Sequence, residues 1–318
     1  MTIAVKPTLR VAIGPVMDDF GSWDWVGREM LEELRSTFQI AEFSDTIPDA
    51  DVVLFVKFPP PPEVWPKIRA RIIYCPIDYF GSAEEIEVQR DFLKCCRKII
   101  VHCSRLTRYF QRLSSVEYLD HHVRFFNETP AECRQGDSIL WTGVRTQVPA
   151  LVRWANTYKL PGDLLVLTNH TQSNDEATPE SFGFNPQNEV RVQRWSESEH
   201  YRAIDQSCAA IDIRGTDFRE RHKPPTKAMD ALAAGLPLAM NRGAVSVDHL
   251  DSIGFRCVTL PESEEAASEQ TVAACYDRWL SREYRDETRS FGLALRELLS
   301  RKRVGLRLRR IIDQVANA

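Results

Sequence analysis

The segment RERHKPPTKAMDALAAGLP, residues 219–237, carries the most specific pattern in this sequence. It predicts a basic loop, then a helix, then a turn into a strand. Pro224 and Pro225 suit a loop and the first position of a helix. Small or apolar residues follow at the helical spacing 0, 3, 4 and 7, namely Ala228, Ala231, Leu232 and Gly235. They give the helix one narrow apolar face that can lie close against a sheet. Gly235 is expected to end the helix, and residues 236–240 form a short buried strand.

Positive charge is concentrated where this helix begins. Lys227 falls in the first turn, and Arg219, Arg221 and Lys223 come just before it. The first turn is the positive end of the helix dipole, so it favours acidic residues. A bound anion, most often a phosphate, offsets such an excess of positive charge. The segment therefore indicates an anion site with Lys227 and Asp230 on one flank, or else a solvated Lys–Asp pair on the surface.

The same segment resembles the donor-binding helix of the GT-B glycosyltransferases. In many of these proteins a Lys-Pro-x-x-Lys or Asn-Lys element leads into Glu-Ala-hydrophobic-Ala-x-Gly-hydrophobic-Pro. Residues 222–237, HKPPTKAMDALAAGLP, match this pattern with Asp230 in place of the usual Glu. The resemblance implies that Lys227 contacts the diphosphate of a nucleotide-sugar donor and that Asp230 contacts its ribose. A large retaining group of the family carries another Glu eight positions upstream, where this chain has His222.

Strand-like and helix-like segments alternate along the chain, which predicts α/β structure with parallel sheets covered on both faces. A length of 318 residues suits two domains of about 150 residues each. The resemblance implies the GT-B fold, two Rossmann-like domains facing a cleft. The predicted parts are an acceptor-side domain (1–125), a linker (126–137), a nucleotide-sugar domain (138–300) and a basic C-terminal helix (301–318).

Several donor-side residues follow predicted strands of the second domain. Ligands of open α/β sheets bind at the carboxyl ends of strands. Gly143 and Arg145 lie at such an end, where GT-B proteins often have Gly-Arg or Gly-Gly, so the resemblance implies donor contacts. A surface arginine is the alternative for Arg145. Arg214 follows another strand and is a phosphate or sugar candidate. Lys223 and Thr226 would help Lys227 to neutralise the diphosphate.

The acceptor side is less specific in sequence. Asp78 comes just after a predicted strand, residues 71–75, and is the candidate catalytic residue. The loop at residues 18–24 would help it to hold an unidentified acceptor, whether a glycan, a lipid-linked sugar or a small molecule. Retaining GT-B enzymes often carry a His near this position, and this chain departs from that pattern.

Composition excludes several other classes. A net charge of −4 argues against a nucleic-acid partner. No apolar run approaches the roughly 20 residues of a membrane span, and the first residues lack the core of a signal peptide, so a cytoplasmic protein is expected. The sequence has eight cysteines but no CxxC motif, so neither a zinc pair nor a redox pair is indicated. The motif Asp49-Ala50-Asp51 matches a metal-binding DxD but precedes a strand and better suits a turn. We therefore expect no metal site and no cofactor.

The sequence leaves two questions open. The basic amphipathic stretch 301–312 could lie on an anionic membrane surface or pack back across the domains. The resemblance implies metal-independent transfer of a sugar from a UDP- or GDP-linked donor. A nucleotide-sugar epimerase, a phosphorylase or a non-catalytic nucleotide-binding protein of similar architecture remain the alternatives.

Overall fold

A computed structural model describes residues 8–18, 20–127, 136–169, 178–263 and 267–318. Within these ranges the chain forms two compact units, each built on a parallel six-stranded sheet. Unit 1 comprises the described residues up to His122 together with 222–224 and 299–318, and unit 2 comprises those of 123–221 and 225–298. Most of the predicted linker lies outside the described residues, as does Asp19 of the predicted acceptor loop. The two Rossmann-like α/β domains are confirmed.

The sheet of unit 1 has the strand order β2-β1-β3-β4-β5-β6. Its strands are β1 (Arg10–Gly14), β2 (Gln39–Glu42), β3 (Val52–Val56), β4 (Arg71–Cys75), β5 (Lys98–Val101) and β6 (Val116–Tyr118). Strand β3 is buried along its whole length because the sheet is covered on both faces, which is why it reads as a continuous apolar run. The strand order reverses between β1 and β3, which makes the carboxyl ends of these strands the natural ligand site of the sheet.

Helices cover both faces of this sheet. A continuous helical segment, α1, runs through Gly21–Trp23, a π-helical stretch Asp24–Arg28 and Glu29–Leu34. It is followed by α2 (Ala83–Val88), α3 (Arg90–Cys95) and α4 (Thr107–Phe110). Between β3 and β4 the segment Trp65–Lys67 forms a 3-10 turn, and the prolines at 59–62 and 66 disfavour a longer helix there.

The sheet of unit 2 has the order β12-β11-β10-β7-β8-β9. Its strands are β7 (Ser138–Gly143), β8 (Leu164–Thr168), β9 (Val190–Arg194), β10 (Ser207–Asp212), β11 (Leu238–Asn241) and β12 (Val258–Leu260). Its helices are α5 (Val148–Thr157), α6 (Glu197–Asp205), α7 (Phe218–Arg221), α8 (Thr226–Ala233), α9 (Val245–Ser252), α10 (Glu269–Trp279) and α11 (Arg282–Leu298). This is the Rossmann order, and its reversal lies between β7 and β10.

The segment 219–237 contains the predicted helix and the predicted turn into a strand. Helix α8 ends before Gly235, whose φ of +74° lies in the left-handed region. The N–H of Leu236 donates to the carbonyl of Ala231 at 3.0 Å, which closes the helix end before the chain enters β11. On its outer side α8 packs against α11. A Cβ at Gly292 would lie 2.1 Å from the carbonyl oxygen of Leu232, so only glycine permits this close packing.

The C-terminal helix α12 (Arg301–Asn317) belongs to the core of unit 1. Its apolar residues follow helical spacing and are fully buried where the helix packs against β3, β4 and α1, namely Val304, Leu308, Ile311, Ile312 and Val315. Arg301 adds ion pairs to Glu32 at 2.8 Å and Glu33 at 3.0 Å. Leu299 and Ser300 are not helical, and the helices on either side of them, α11 and α12, belong to different units. No helix of the described ranges is long and apolar enough to cross a membrane.

Two strands were missing from the sequence prediction. Strand β2 forms one edge of its sheet and is mostly exposed, and β12 is a three-residue edge strand. Short edge strands bury little apolar surface, so their sequences carry a weak strand signal.

Candidate functional site

Lys227 lies in the first turn of α8, beside the point where the strand order of unit 2 reverses. Its ammonium nitrogen donates to Oε1 of Gln147 at 2.5 Å and lies 5.1 Å from the ring centroid of Trp141. A Cβ at Gly143 would come within 2.6 Å of this nitrogen and within 2.5 Å of the Trp141 ring. The absence of a side chain at Gly143 therefore lets the lysine ammonium and the Trp141 ring approach the carboxyl end of β7 closely. Lys227 and Gly143, both predicted from sequence, lie together.

An acidic residue outside helix α8 is linked to Lys227. The first turn of α8 holds no acidic residue, and no side chain caps it. Gln147 lies at the start of α5, is only 7% exposed, and donates its Nε2 to both carboxylate oxygens of Glu220 at 3.1 and 3.2 Å. Glu220 thus reaches Lys227 through the amide of Gln147. Sequence analysis did not identify Gln147 or Glu220, since 80 residues separate Gln147 from Lys227.

Asp230 lies one turn further along α8 and is 4% exposed. Its Oδ1 accepts the backbone N–H of Arg124 at 2.7 Å and that of Phe125 at 3.4 Å. These bonds fasten the segment 123–127 to the helix. Asp230 is therefore part of the packed interior rather than the solvated flank of the helix. The ribose contact implied by the resemblance stays a prediction.

A small cavity lies next to this helix. The polar side chains that line it are Thr142, His200, Asp212, Lys227 and Asp230. The ring of His200 stacks on Phe125, with centroids 4.1 Å apart. Burial, assisted by the positive charges of Lys227 and Arg124, lowers the pKa of His200 to about 3. The imidazole is therefore neutral at physiological pH, and sequence analysis did not single it out.

Arg214 follows β10 and is buried in an ion pair. Its Nε donates to Asp212 at 2.8 Å, and both side chains are 5% exposed. Its backbone N–H donates to Asn241, whose own amide donates to Glu262 at 2.7 Å. These bonds join the carboxyl ends of β10 and β11 to the residues that follow β12. The guanidinium is thus engaged inside the unit at the edge of the sheet where sequence analysis placed it.

The remaining donor-side candidates are Arg145, Thr226 and Lys223, and the structure places each of them in a different element or segment. Arg145 begins a 3-10 turn, its backbone N–H donates to Asn169 at 2.8 Å, and its guanidinium lies 5.1 Å from the centroid of the Phe182 ring. Thr226 is the first residue of α8 and is half-buried. Lys223 lies in the short segment 222–224, which groups with unit 1 instead.

In unit 1, Asp78 lies just beyond β4 and pairs with Lys57, which lies just beyond β3. The ammonium nitrogen of Lys57 is 2.9 Å from Oδ1 of Asp78, and the two side chains are 17% and 20% exposed. Lys57 and Ile77 have φ values of +64° and +55°, a left-handed conformation that is costly for both residue types. Two strained residues thus set this ion pair at the carboxyl edge of the sheet.

Aromatic rings surround the pair. The Lys57 ammonium lies 5.1 Å from the ring centroid of Phe20, which is 43% exposed. Phe58 packs edge-on against Phe20 at 5.8 Å and against Tyr79 at 5.5 Å. The result is a charged pair framed by aromatic side chains. Sequence analysis predicted Asp78 but not Lys57, because a lysine carries no sequence signal for a left-handed backbone.

The two carboxylates of the DxD motif lie elsewhere and bind an arginine. Arg10 pairs with Asp49 at 2.6 Å and with Asp51 at 3.0 Å. The hydrogen bonds from Arg10 lower the pKa of Asp51. Among the described residues, no group of three or more His, Cys, Asp or Glu side chains is arranged to hold a metal ion.

Comparison with known proteins shows the fold. No protein-family model and no curated protein matches the sequence. HepE from Anabaena, solved with UDP and glucose, is similar at a TM-score of 0.67 and 8% identity, over 96% of this chain and 100% of that one. AviGT4, a glycosyltransferase involved in avilamycin A biosynthesis, is similar at 0.65 and 10%, over 97% and 98%.

A further match is to a longer chain. The pneumococcal O-GlcNAc transferase GtfA, solved with UDP and GlcNAc, matches at a TM-score of 0.59 and 10% identity over 84% of this chain. This chain spans 57% of the length of GtfA, and likewise 57% of the chain matched in the GtfA/B complex. At identities this low, the matches show a shared fold and nothing more.

Proposed function

We propose that this chain transfers a sugar from a nucleotide-diphosphate sugar to an acceptor hydroxyl. The observation that carries the proposal is the position of Lys227. Its ammonium lies at the N-terminus of a helix, beside the strand-order reversal of unit 2 and close to the backbone of Gly143. A helix N-terminus with an added cation favours a bound phosphate.

In this proposal unit 2 binds the donor. The diphosphate is the leaving group, and the negative charge that develops on it is stabilised by Lys227 and by the N–H groups at the start of α8. HepE and GtfA, whose fold this chain shares, were solved with UDP. UDP is therefore the donor nucleotide that we propose to test first. Because protein cations supply the electrostatic stabilisation, we expect turnover to persist in excess chelator.

Unit 1 supplies the acceptor end. Asp78 has a carboxylate that can accept a hydrogen bond from an acceptor hydroxyl, and Lys57 beside it can donate one to a neighbouring oxygen. Strained backbone of the kind found at Lys57 and Ile77 is concentrated at functional sites. We propose Asp78 as the catalytic residue that orients the acceptor hydroxyl.

The Lys227→Ala variant tests the donor site. One charge-assisted hydrogen bond is worth about 1.5–3 kcal/mol, so the variant should bind UDP about ten- to a hundredfold more weakly. Uridine, which has no phosphate, should bind the variant and the wild type alike. Titration calorimetry with both ligands measures this, with Lys159→Ala, an exposed lysine of the same unit, as the matched control.

Equal UDP affinity in wild type and Lys227→Ala would remove the support for the donor site. A turnover assay with UDP-glucose, an acceptor panel and excess EDTA then tests the reaction class. Release of UDP that depends on an acceptor supports transfer. A changed sugar without UDP release would indicate an epimerase, and binding without turnover would indicate a nucleotide-binding protein.

A further inference from the structure

Gln147 connects two charged residues that do not share an element. Its side-chain carbonyl accepts from Lys227 at 2.5 Å, while its side-chain N–H₂ donates to Glu220 at 3.1 and 3.2 Å. Lys227 follows β10 and lies in α8, Glu220 lies in α7, and Gln147 lies at the start of α5. The amide is 7% exposed, so these bonds are largely shielded from water.

The chemistry of the two neighbours fixes the direction of this amide. A lysine ammonium only donates hydrogen bonds, and a carboxylate only accepts them. Rotating the amide by 180° would place its N–H₂ against the ammonium and its carbonyl against the carboxylate, which are both repulsive. Glu220 therefore sets the orientation in which Gln147 presents an acceptor to Lys227.

We propose that Gln147 is a positioning residue for the donor diphosphate, and this inference rests on the proposed function. It holds the Lys227 ammonium beside Gly143 before the ligand arrives. A free lysine has several rotatable bonds and loses rotamer entropy when it binds, and fixing it in advance reduces that loss. An ammonium has three N–H donors, so a bond to Gln147 sets its position without using all of them.

The Gln147→Leu variant removes the acceptor while keeping most of the side-chain volume. It should weaken UDP binding about three- to tenfold, the range expected for immobilising one side chain with many rotamers, and leave uridine binding unchanged. In a Lys227→Ala background the same change should have no further effect, because the two residues act through one contact. Gln206→Leu, at an exposed position of the same unit, is the matched control.

The near-isosteric Gln147→Glu variant gives a second test. It places a carboxylate against Lys227 and next to Glu220, where it would repel a diphosphate, so UDP binding should fall more than in Gln147→Leu. UDP binding by Gln147→Leu that equals or exceeds that of the wild type would show that Gln147 does not position the lysine. An equal loss in the Lys227→Ala background would overturn the inference as well.

A measurement without ligand separates this inference from the proposed function. In ¹⁵N-lysine NMR spectra, an ammonium held by hydrogen bonds gives an observable signal, which the Lys227→Ala variant assigns. This signal should be lost in Gln147→Leu and kept in Gln206→Leu. A wild type that shows the signal but binds no UDP would overturn the proposed function alone. A signal that persists in Gln147→Leu would overturn the positioning role.

Discussion

For the single residue Asp230, burial changes the effect on stability that is expected when the side chain is removed. On the flank of a solvated helix face, its loss would cost little stability. In the structure it is 4% exposed and accepts the N–H groups of Arg124 and Phe125. Asp230→Ala leaves these groups without their acceptor, and an unsatisfied buried group costs about 1–3 kcal/mol. We expect a loss of unfolding free energy of this size, measured by urea denaturation.

The control for this prediction is Asp251→Ala, which removes an exposed carboxylate of α9 and should change stability by less than about 0.5 kcal/mol. Asp230→Asn keeps one acceptor oxygen and should lose less than Asp230→Ala. If Asp230→Ala were as stable as Asp251→Ala, the bonds to segment 123–127 would not matter for folding.

At the scale of one element, α12 can be tested with two leucines on opposite faces. Leu308 is 1% exposed in the core of unit 1, and Leu306 is 44% exposed. Leu308→Ala removes buried methyl groups and leaves a cavity, so it should cost about 2–5 kcal/mol. Leu306→Ala should stay within about 0.5 kcal/mol of the wild type. The melting temperature of each variant measures the difference.

The outcome also bears on the two hypotheses for the stretch 301–312. A helix that served mainly to contact an anionic membrane surface would tolerate Leu308→Ala as well as Leu306→Ala. It would instead lose binding to anionic vesicles when its arginines are replaced. The ion pairs of Arg301 with Glu32 and Glu33, both within unit 1, support the packed alternative.

At the scale of the whole molecule, buried histidines make stability depend on pH. Burial lowers the pKa of His102 to about 4, against a partial opposing effect of the Leu119 carbonyl, 2.6 Å from its Nδ1. Burial also lowers the pKa of the neighbouring His121, whose ring lies 4.3 Å from that of His102. In unit 2 the pKa of His200 falls to about 3. All three are neutral in the folded protein near pH 6.

In the unfolded chain these imidazoles titrate near pH 6.5. Between about pH 6.5 and 4 the unfolded chain therefore binds more protons than the folded one, and stability falls as the pH falls. We expect the urea midpoint to drop from pH 7.5 to pH 5.5, before most carboxylates titrate. His102→Gln should be less stable than wild type at pH 7.5 but show a smaller drop. An equal midpoint at both pH values for the wild type would contradict this.

Most of the strands and helices, and the helix-to-strand turn at Gly235, could be predicted from the sequence, whereas the edge strands β2 and β12 could not. Buried strands of a parallel sheet are continuous apolar runs, and a helix that ends in a left-handed residue favours glycine there. Both features therefore depend on only a few consecutive residues. The sequence also placed Gly143 after a predicted strand and Lys227 in the first turn of a predicted helix, and the sheet, in which β7 pairs with β10, then brought the two residues together.

The hydrogen-bond partners of these residues could not be predicted from the sequence. Gln147 is 80 positions from Lys227, and Arg124 is 106 positions from Asp230, so their hydrogen bonds depend on how the chain returns to the sheet. Lys57 has a left-handed backbone that places it beside Asp78, and a lysine in the sequence does not predict that conformation. Local patterns encode elements because periodicity and backbone preference act over a few residues. A site joins side chains from distant elements, and their contacts exist only once the sheets have formed.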